Sequence, residues 1–370
     1  VVVRAEGVYR LRASGLNGLE GMTAESNPLV VSPDGARVLW GDLQIHSGLS
    51  DGTGTPEDLY RYARDVAALD IAAITDHDHW GMLPLATHAE LWQQLRGAAA
   101  RFHEPGRFVT LLGYEWTNWI HGHRHVLYFE DDGDVLSAID PRFDEPSELW
   151  QALSGRRAMT IAHHTAGEPV ATNWNIAPDP ALESVVEIVS VHGSSEARDA
   201  PWIVPAARDG HFVRDALDRG YRLGFIGSGD GHDGHPGLAH LGAQTGGLGA
   251  ILSEELTREA VYDALRARRV YATSGPRIVL RVSLGGRRIG ALLAAPSASE
   301  ELVVWVAAPE RLLAIDVVRS GQIVASVPGH GRRELYFRRE LHELQPGEYV
   351  YVRAVQEDGA FAIASPFFLE

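Results

Sequence analysis

The feature of the sequence that most constrains its fold is the alternation of short apolar runs with amphipathic segments between residues 38 and 275. Runs of strand length such as IAAIT, AMTIA and RLGFIGS are separated by segments with apolar residues every three or four positions. In the segment 55–70, Thr55 stands where an N-cap is expected, Pro56 at the first helical position, and acidic residues in the first turn. Because strands that alternate with helices usually build a parallel sheet, the pattern predicts an α/β layer or barrel.

The two ends of the chain have a different pattern. Residues 1–37 contain short strand-like stretches, GVYRLRAS, GLNGLEG and NPLVVSPDG, that are punctuated by glycine, asparagine and proline, and they predict a small β appendage. Beyond Gly275-Pro276 the helical pattern stops, and alternating strand segments with glycine-rich turns predict a C-terminal β-sandwich. We therefore divide the chain into 1–37, 38–275 and 276–370.

Charge and residue usage exclude several classes of function. The formal net charge of −16 argues against DNA or RNA as a partner, because nucleic-acid binding depends on basic side chains that neutralise phosphates. The chain has no lysine, so Schiff-base chemistry is excluded, and no cysteine, so disulfides and sulfur-ligated metals are excluded. No apolar run approaches the ~20 residues of a membrane span. We expect a soluble protein without a membrane partner, and its compartment stays open.

Histidines and acids gather at the ends of the predicted strands, as in GDLQIHSGLSDG (41–52) and IAAITDHDHWG (71–81). The residues at these positions are Gln44, His46, Asp51, Asp76, His77, Asp78, His79, Glu115, His121, His123, His125, His163, His164, Glu187, His192, Asp230, His232, Asp233 and His235. In a parallel barrel the carboxyl ends of all strands meet at one face, so these side chains would come together. Imidazole and carboxylate together suit Zn, Mn or Fe, and cations would offset the repulsion between the carboxylates. The pattern predicts a metal centre.

Each motif also has a simpler interpretation when it is considered alone. A single histidine after a strand is more often a cap or a hydrogen-bonded core residue than a ligand. The sequence TDHDH is compatible with an N-cap turn, and HGHRH with a solvated loop. Six or more strand ends with the same chemistry are much harder to explain in these ways, so the metal centre is the better-supported interpretation.

Over about residues 38–275, five motifs in order resemble the metal motifs of the PHP (polymerase and histidinol phosphatase) family: DLQIHSGLSDG, AITDHDH, GYEW, IAHH and GSGDGHDG. The β-rich C-terminal extension is similar to that of an uncharacterised branch of PHP-containing proteins. The resemblance implies a distorted seven-stranded (β/α) barrel of α/β class, with a binuclear or trinuclear centre that hydrolyses phosphoesters.

The resemblance also implies a set of metal ligands. It places His46 on one ion with Asp230 nearby, and it makes Glu115 a bridge between two ions. Asp51, His77 and His232 fall on a second ion. One histidine from the pair His123 and His125 and one from the pair His163 and His164 complete a third position. We favour His125 and His163, which lie nearest the apolar runs, with His123 and His164 as close rivals.

Gln44 is the clear departure from the family pattern, which usually begins with two histidines separated by one residue. An amide oxygen is a weaker donor than imidazole to Zn or Mn. Our hypothesis is that one of the three positions is weakly occupied, which leaves a two-metal centre. Three tightly bound ions per chain in metal analysis would refute it.

Two or three divalent ions (Zn, Mn or Fe) favour a hydrolase that uses a metal-bound hydroxide. The leading prediction is a phosphoesterase that acts on a small organic phosphate ester. Hydrolysis of a carboxyl ester, carbamate or amide at the same centre is an alternative. A non-catalytic, metal-stabilised binding module is the alternative of another class.

Several further residues are predicted to act on the substrate. His192, Glu196, Asp78 and His79 are candidates for proton transfer, although a role in orienting a ligand explains them equally well. Trp80, Trp116, Trp119 and Trp174 lie near proposed ligands or in strand-end loops, and together they favour an ester with an apolar or aryl group; core packing is the alternative for each one. Arg124 and Arg198 are the candidates for phosphate contact.

Overall fold

The structure, a computed structural model, describes residues 3–15, 20–32, 37–81, 83–237, 246–294 and 299–370. These residues form a mixed α/β fold of five helices and twenty-four strands. The predicted turns at 16–19 and 33–36 lie outside the described residues. The helices are α1 (Pro56–Asp65), α2 (Ala89–Phe102), α3 (Pro146–Leu153), α4 (Val213–Asp218) and α5 (Arg258–Arg266). The strands are β1 (Gly7–Tyr9), β2 (Arg12–Ser14), β3 (Thr23–Glu25), β4 (Leu29–Val31), β5 (Arg37–Asp42), β6 (Ile71–Ile74), β7 (Val109–Trp116), β8 (Arg124–Tyr128), β9 (Ala158–Ala162), β10 (Val185–Ser190), β11 (Gly193–Ser194), β12 (Gly224–Gly227), β13 (Leu248–Ser253), β14 (Val270–Thr273), β15 (Val279–Leu284), β16 (Arg287–Arg288), β17 (Leu292–Leu293), β18 (Ser299–Ala307), β19 (Leu312–Arg319), β20 (Gln322–Pro328), β21 (Glu334–His342), β22 (Tyr349–Gln356), β23 (Phe361–Ala364) and β24 (Phe367–Leu369).

Helix α1 begins where the sequence predicts. The Thr55 hydroxyl accepts the Asp58 N–H, and Pro56 occupies the first turn, where its missing N–H costs nothing. The helix buries Leu59, Tyr60 and Ala63 and ends at Asp65, several residues before the predicted end. Among the described residues, no helix combines the length and the apolar character needed to cross a lipid bilayer.

The strands that carry the proposed ligands follow one another in the large sheet. β5, β6 and β7 are parallel, and so are β9, β10 and β12, but β8 runs antiparallel to both β7 and β9. The expectation of an all-parallel arrangement is therefore wrong at β8. Because β8 runs the other way, it is its amino end, rather than its carboxyl end, that lies beside the carboxyl end of β7.

Backbone hydrogen bonds also join the segment that follows β5 to the segment that follows β12. The His46 N–H donates to the Gly231 carbonyl at 3.0 Å, and the Asp230 N–H donates to the Gln44 carbonyl at 2.9 Å. The residues after β12 are thereby held directly against those after β5. This contact is what brings sequence-distant ligand candidates into one place.

The predicted boundary between 275 and 276 is crossed by hydrogen-bonded strands. β13 and β14, which the sequence analysis did not predict, pair with each other, and β14 pairs with β23, so the large sheet continues into the C-terminal region. A second, four-stranded sheet has the order β16-β15-β18-β21. Apolar residues of both sheets, such as Leu280 and Val304 from one and Ile315 and Val352 from the other, belong to one buried cluster. At the N-terminus β1 pairs with β4, and β2 with β3.

Candidate metal centre

The centre of the site is the carboxylate of Glu115, which lies near the end of β7 and is buried. Its oxygens lie 3.3 Å from His46 Nε2, 3.2 Å from His77 Nδ1, 2.7 Å from His123 Nδ1 and 3.4 Å from His163 Nε2. These four imidazoles come from four different segments, after β5, after β6, before β8 and after β9. The predicted convergence of distant residues therefore occurs around one buried acid.

A first group that could hold a metal ion consists of His46, Asp51, His77 and His232, whose ligand atoms lie within 4.8 Å of one another. His46 therefore lies with the three residues that the resemblance assigns to a different ion. The Asp51 carboxylate is 3.5 Å from His77 Nε2 and 3.3 Å from His232 Nε2. The side chains of Asp51 and His232 are 35% and 36% exposed, whereas His46 is buried. Three nitrogen donors and one oxygen donor suit Zn, Mn or Fe, and the exposed side leaves room for a further ligand.

The loop that carries Asp51 is held in place by Asp76. The Asp76 carboxylate accepts the Ser47 N–H at 2.8 Å, the Ser47 hydroxyl at 2.6 Å and the Ser50 hydroxyl at 2.5 Å. Gly52 lies so close to His46 that a Cβ there would collide with the His46 carbonyl. These contacts fold residues 46–52 back on themselves, so that Asp51 returns towards the histidines.

Two further groups share His163: His123 with His164 on one side, and His125 with Glu187 on the other. His123 lies on the side of Glu115, while His125 is fully buried, with its Nε2 3.6 Å from the Glu187 carboxylate. The structure thus places both members of the pair 123 and 125 beside His163, and which of them is a ligand stays a prediction. Glu187 is one of the strand-end residues that the sequence predicts to come together, but the ligand set implied by the resemblance does not include it.

Asp230 connects the first group to His192. Its carboxylate lies 3.3 Å from His46 Nε2 and 2.9 Å from His192 Nε2. Asp230 has φ +53° and His164 has φ +35°, a conformation that costs a non-glycine residue about 1–3 kcal/mol and persists where surrounding structure enforces it. Next to Asp230, the Gly229 N–H donates to the buried Asp42 at 2.8 Å, and burial raises the pKa of Asp42 to about 6.

Gln44 lies beside Glu115, but it is its amide nitrogen, a hydrogen-bond donor, that faces the neighbouring side chains. Its amide nitrogen lies 3.0 Å from the Glu115 carboxylate and 3.2 Å from His163 Nδ1, while its Oε1 is buried without a hydrogen-bond partner. Thr117, which the sequence analysis missed, places its hydroxyl 2.7 Å from His77 Nδ1 and thereby helps to orient that ring. A hydroxyl two residues after the central acid gives no distinctive signal in a sequence.

The protonation of the cluster without cations follows from its packing. Burial opposes a charge on His46, but Asp230 and Glu115 outweigh it and raise the pKa of His46 well above its usual range. Burial also opposes a charge on His77, yet Glu115 and Asp51 raise the pKa of His77 to about 9. Burial and the neighbouring His163 hold the pKa of His125 well below its usual range, so this ring is neutral, as a metal ligand must be.

The donor set also fits a metal ion because many of its buried atoms lack a hydrogen-bond partner. Within the described part of the chain these atoms include Gln44 Oε1, His46 Nδ1, His123 Nε2, both ring nitrogens of His125 and Glu187 Oε2. Buried polar atoms are normally paired, and each unpaired one costs about 1–3 kcal/mol. Divalent cations would supply the missing partners for this set.

A cleft of about 380 Å³ opens onto the cluster, and Asp51, His77, Glu115, His123 and Asp230 all line it. Trp80 and Trp119 line the same cleft and are half exposed. The centre is therefore accessible to a small molecule.

The candidates for proton transfer lie in different surroundings. His192 lines the cleft. Asp78 is buried, and its carboxylate oxygens are engaged in hydrogen bonds. They accept the Thr117 N–H, the Ser137 hydroxyl and the Ala138 N–H, and His79 Nδ1 lies 2.8 Å away. The structure does not bring Asp78 or His79 into the cleft lining.

Glu196 lies outside the cluster. Its carboxylate accepts the Tyr351 hydroxyl at 2.6 Å and is 3.1 Å from the Arg353 guanidinium. Arg353 also lies 3.1 Å from Asp316. Glu196 therefore ties the segment after β11 to the C-terminal region.

Only two of the four predicted tryptophans reach the cleft. Trp116 and Trp174 are buried, and their indole N–H groups donate to the carbonyls of Phe143 and His211. Arg124 is fully buried and donates to Glu183 at 2.9 Å, which gives it a structural role. Arg198 pairs with Asp209 at the surface.

The sequence matches the family described as "Protein of unknown function (DUF3604)" over residues 75–200 and 237–299. The chain belongs to the DUF3604 family. The first DUF3604 range contains His77, Glu115, His123 and His163, which are four of the five residues at the centre of the site. His46, the fifth, lies outside the matched ranges.

Relatives and a solved structure extend this comparison. Uncharacterized proteins of Chlamydia pneumoniae and Chlamydia trachomatis are 25% and 26% identical, over alignments that cover 98% of this chain and 62% of each relative. The chain thus spans about 62% of the length of these curated relatives. A two-domain protein from Bacteroides vulgatus, whose description names a predicted PHP-like metal-dependent phosphoesterase, is similar with a TM-score of 0.47 and 14% identity, covering 90% of this chain and 95% of that protein. A similarity this low transfers neither fold nor activity.

Proposed function

We propose that the chain is a metal-dependent hydrolase and that its main reaction is the hydrolysis of a small organic phosphate ester. The observation that carries the proposal is the meeting of four imidazoles from four segments around the buried Glu115 carboxylate, beside an open cleft. Structural ion pairs rarely gather four imidazoles around one carboxylate, and the unpaired buried atoms of the cluster are those that cations would satisfy.

The residues divide into two proposed positions for cations. His46, Asp51, His77 and His232 would hold one, and His163 with His123 or His125 would hold the other, with Glu115 between them. Two divalent cations in such an arrangement supply Lewis acidity, a water activated near neutral pH, and a counter-charge for the departing oxygen. Gln44 offers at most a weak amide ligand, so we propose two occupied positions rather than three.

His192 is the proposed proton donor to the leaving group. It lines the cleft, and the hydrogen bond from its Nε2 to Asp230, outweighing its partial burial, raises the pKa of His192 and favours its charged form. With Nε2 bonded to Asp230, Nδ1 is left to donate towards the oxygen that departs. Asp230 has a second task, because it also lies against His46.

We infer that the seven strands β5, β6, β7, β8, β9, β10 and β12 form the distorted barrel of the PHP family. Their consecutive pairing supports this interpretation, and so do the two backbone hydrogen bonds between the segments after β5 and β12. The five motifs in order support the same kinship. The division into 1–37, 38–275 and 276–370 remains part of the proposal.

Two alternatives make different demands on the same site. A carboxyl ester, carbamate or amide would use the same cations and the same cleft, and only turnover can separate it from a phosphate ester. A non-catalytic binding module needs a closed metal site. The exposed sides of Asp51 and His232 favour the enzyme, because they leave one face of the first group open to the cleft.

A substrate panel tests the proposal. The full chain is stripped with a chelator, reloaded with Mn²⁺ or Zn²⁺, and assayed with p-nitrophenyl esters of phosphate (mono-, di- and triester), acetate and a carbamate. We expect phosphate-ester hydrolysis that disappears with chelator and returns with metal. Glu115→Gln should lower kcat/KM by about a hundredfold or more, since even outer-shell changes at metal sites cost 10–100-fold. Metal-independent activity, or none on any ester, would contradict the proposal.

Two variants serve as references in the same assay. His342→Ala removes an exposed histidine in the C-terminal region and should leave turnover unchanged. His192→Ala should lower kcat while the metal content stays that of the wild type. If the turnover of His192→Ala equals that of the wild type at the same metal content, His192 is not the proton donor.

A further inference from the structure

We propose that Trp80 and Trp119 form a binding site for an uncharged aromatic group of the substrate, whose one anionic group lies at the metal centre. The inference rests on the proposed function and extends it, because it assigns the part of the substrate that does not react. Trp80 and Trp119 are then residues that determine substrate specificity.

The two indoles form an exposed aromatic surface next to the ligands. Trp80 is 48% exposed and Trp119 is 49% exposed, and their ring centroids are 5.4 Å apart with planes at 46°. The Trp119 ring also lies 6.2 Å from the ring of His123. A tryptophan usually buries most of its large apolar surface, as Trp116 and Trp174 do here. Two adjacent exposed indoles at the edge of a cleft are therefore suited to being covered by a ligand.

Apolar side chains also line the part of the cleft that lies away from the ligands. Its apolar members are Pro169, Val170, Val204 and Pro205. The segment that carries Val204 is fixed, because the Val204 N–H donates to the Ser194 carbonyl at 2.9 Å and Trp202 packs edge-on against Phe361 at 5.8 Å. An apolar group that enters the cleft meets a wall that is already formed, so little ordering is needed on binding.

The charges of the lining limit the substrate to one anionic group. None of the described lining residues is an arginine, and the chain contains no lysine. Asp51, Glu115, Glu168 and Asp230 line the cleft, and the nearby Arg208 is engaged with Glu168 at 3.2 Å. Cations at the metal centre would accept one anionic group. A second one would find acidic neighbours and no arginine or lysine among the described lining residues, and the imidazole of His192 is already paired with Asp230 at 2.9 Å. This favours an aromatic monoester or diester over polyphosphates and bisphosphates.

Three phosphonates test the inference without any turnover. Methylphosphonate, phenylphosphonate and 4-carboxyphenylphosphonate carry the same group for the metal centre and differ only in what is attached to it. Calorimetric titration into the Mn²⁺-loaded full chain should show phenylphosphonate binding about tenfold more tightly than methylphosphonate, as expected for stacking on an aromatic side chain. 4-Carboxyphenylphosphonate should bind several-fold more weakly than phenylphosphonate, because its carboxylate would meet the acidic side chains of the lining and no arginine or lysine among the described lining residues.

Variants locate the effect. The double variant Trp80→Ala/Trp119→Ala should bind phenylphosphonate and methylphosphonate about equally, whereas Trp119→Tyr should keep most of the preference because it keeps a ring. Tyr336→Ala, which removes an aromatic residue that is 53% exposed on β21, is the matched control and should bind as the wild type does. Melting temperatures equal to that of the wild type show that each variant is folded.

The outcomes separate the two proposals. Equal affinity for phenylphosphonate and methylphosphonate in the wild type, no binding of either, or a preference that survives in the double variant overturns the aromatic site. Binding of 4-carboxyphenylphosphonate as tight as that of phenylphosphonate overturns the limit to one anionic group. If the preference is found and depends on the tryptophans while no ester is hydrolysed, the aromatic site stands and the proposed hydrolase function fails.

Discussion

Metal binding to the first group should release protons, and the structure gives the number. In the metal-free chain Glu115 and Asp51 raise the pKa of His77 to about 9, so near pH 7 about 99% of the molecules carry a proton there. The pKa of His46 is raised in the same direction by Asp230 and Glu115. Both rings must lose their protons to become ligands. We therefore expect about two protons released per cation bound at this group near pH 7.

The affinity of the first group for a metal ion should therefore fall as the pH is lowered. Below the pKa of His77, each unit of pH lost makes its proton about tenfold harder to displace, so metal affinity falls by about tenfold per pH unit from His77 alone and by up to about a hundredfold with His46. Calorimetric titration of Mn²⁺ into chelator-stripped protein, in buffers of different ionisation enthalpy, counts the released protons. His342→Ala is the control and should release as many as the wild type. Binding without proton release, or with an affinity independent of pH between about 6 and 8, would refute this reasoning.

The remaining predictions concern stability. Arg124→Leu removes one partner of the buried pair with Glu183 and should lower the free energy of unfolding by about 3–5 kcal/mol in denaturant titrations; an unchanged midpoint would contradict the structural role of this pair. Arg353→Leu should cost less, about 1–3 kcal/mol, because Glu196 keeps its bond from the Tyr351 hydroxyl. Chelator should lower the melting temperature of the wild type, since a ligand that binds only the folded chain stabilises it, and Mn²⁺ should restore it; an unchanged melting temperature would indicate that no cation binds.

Part of the site could be predicted from the sequence, because several of its residues come directly after strands that have a recognisable apolar pattern. His46, His77, His163 and Asp230 each follow a strand whose apolar run can be recognised, and the end of a strand fixes where the next few residues lie. Glu115 is in the same position, since it lies near the end of an apolar run. Local patterns therefore placed Glu115 and most of the residues around it at strand ends, whereas the central position of Glu115 was implied only by the resemblance to the PHP family.

The direction of β8 could not be predicted in this way. Strand pairing is set by contacts between distant segments, and the short sequence 124–128 fits either direction. The direction of β8 decides which of its side chains lie beside Glu115, and so it also bears on whether His123 or His125 is the ligand. Both histidines precede or begin the strand, so spacing alone left them equivalent.

The sequence also could not predict which side chains are buried or which residues they pair with. Trp116 and Trp119 are three residues apart and look alike in sequence, yet one is in the core and the other lines the cleft. Glu196 follows a strand end as the ligands do, but its partner Arg353 is 157 residues further along the chain. Only the fold shows that this acid already has a basic partner and therefore need not act on a substrate.

The most direct test of the proposed metal centre is an anomalous difference map from crystals of the full chain loaded with Zn²⁺ or Mn²⁺. We expect two peaks: one among His46, Asp51, His77 and His232, and one beside His163 and Glu115. Both should disappear when crystals are soaked in chelator. A map without a peak near Glu115, or with ions bound only elsewhere on the chain, would contradict the claim that these imidazoles and carboxylates form a metal centre.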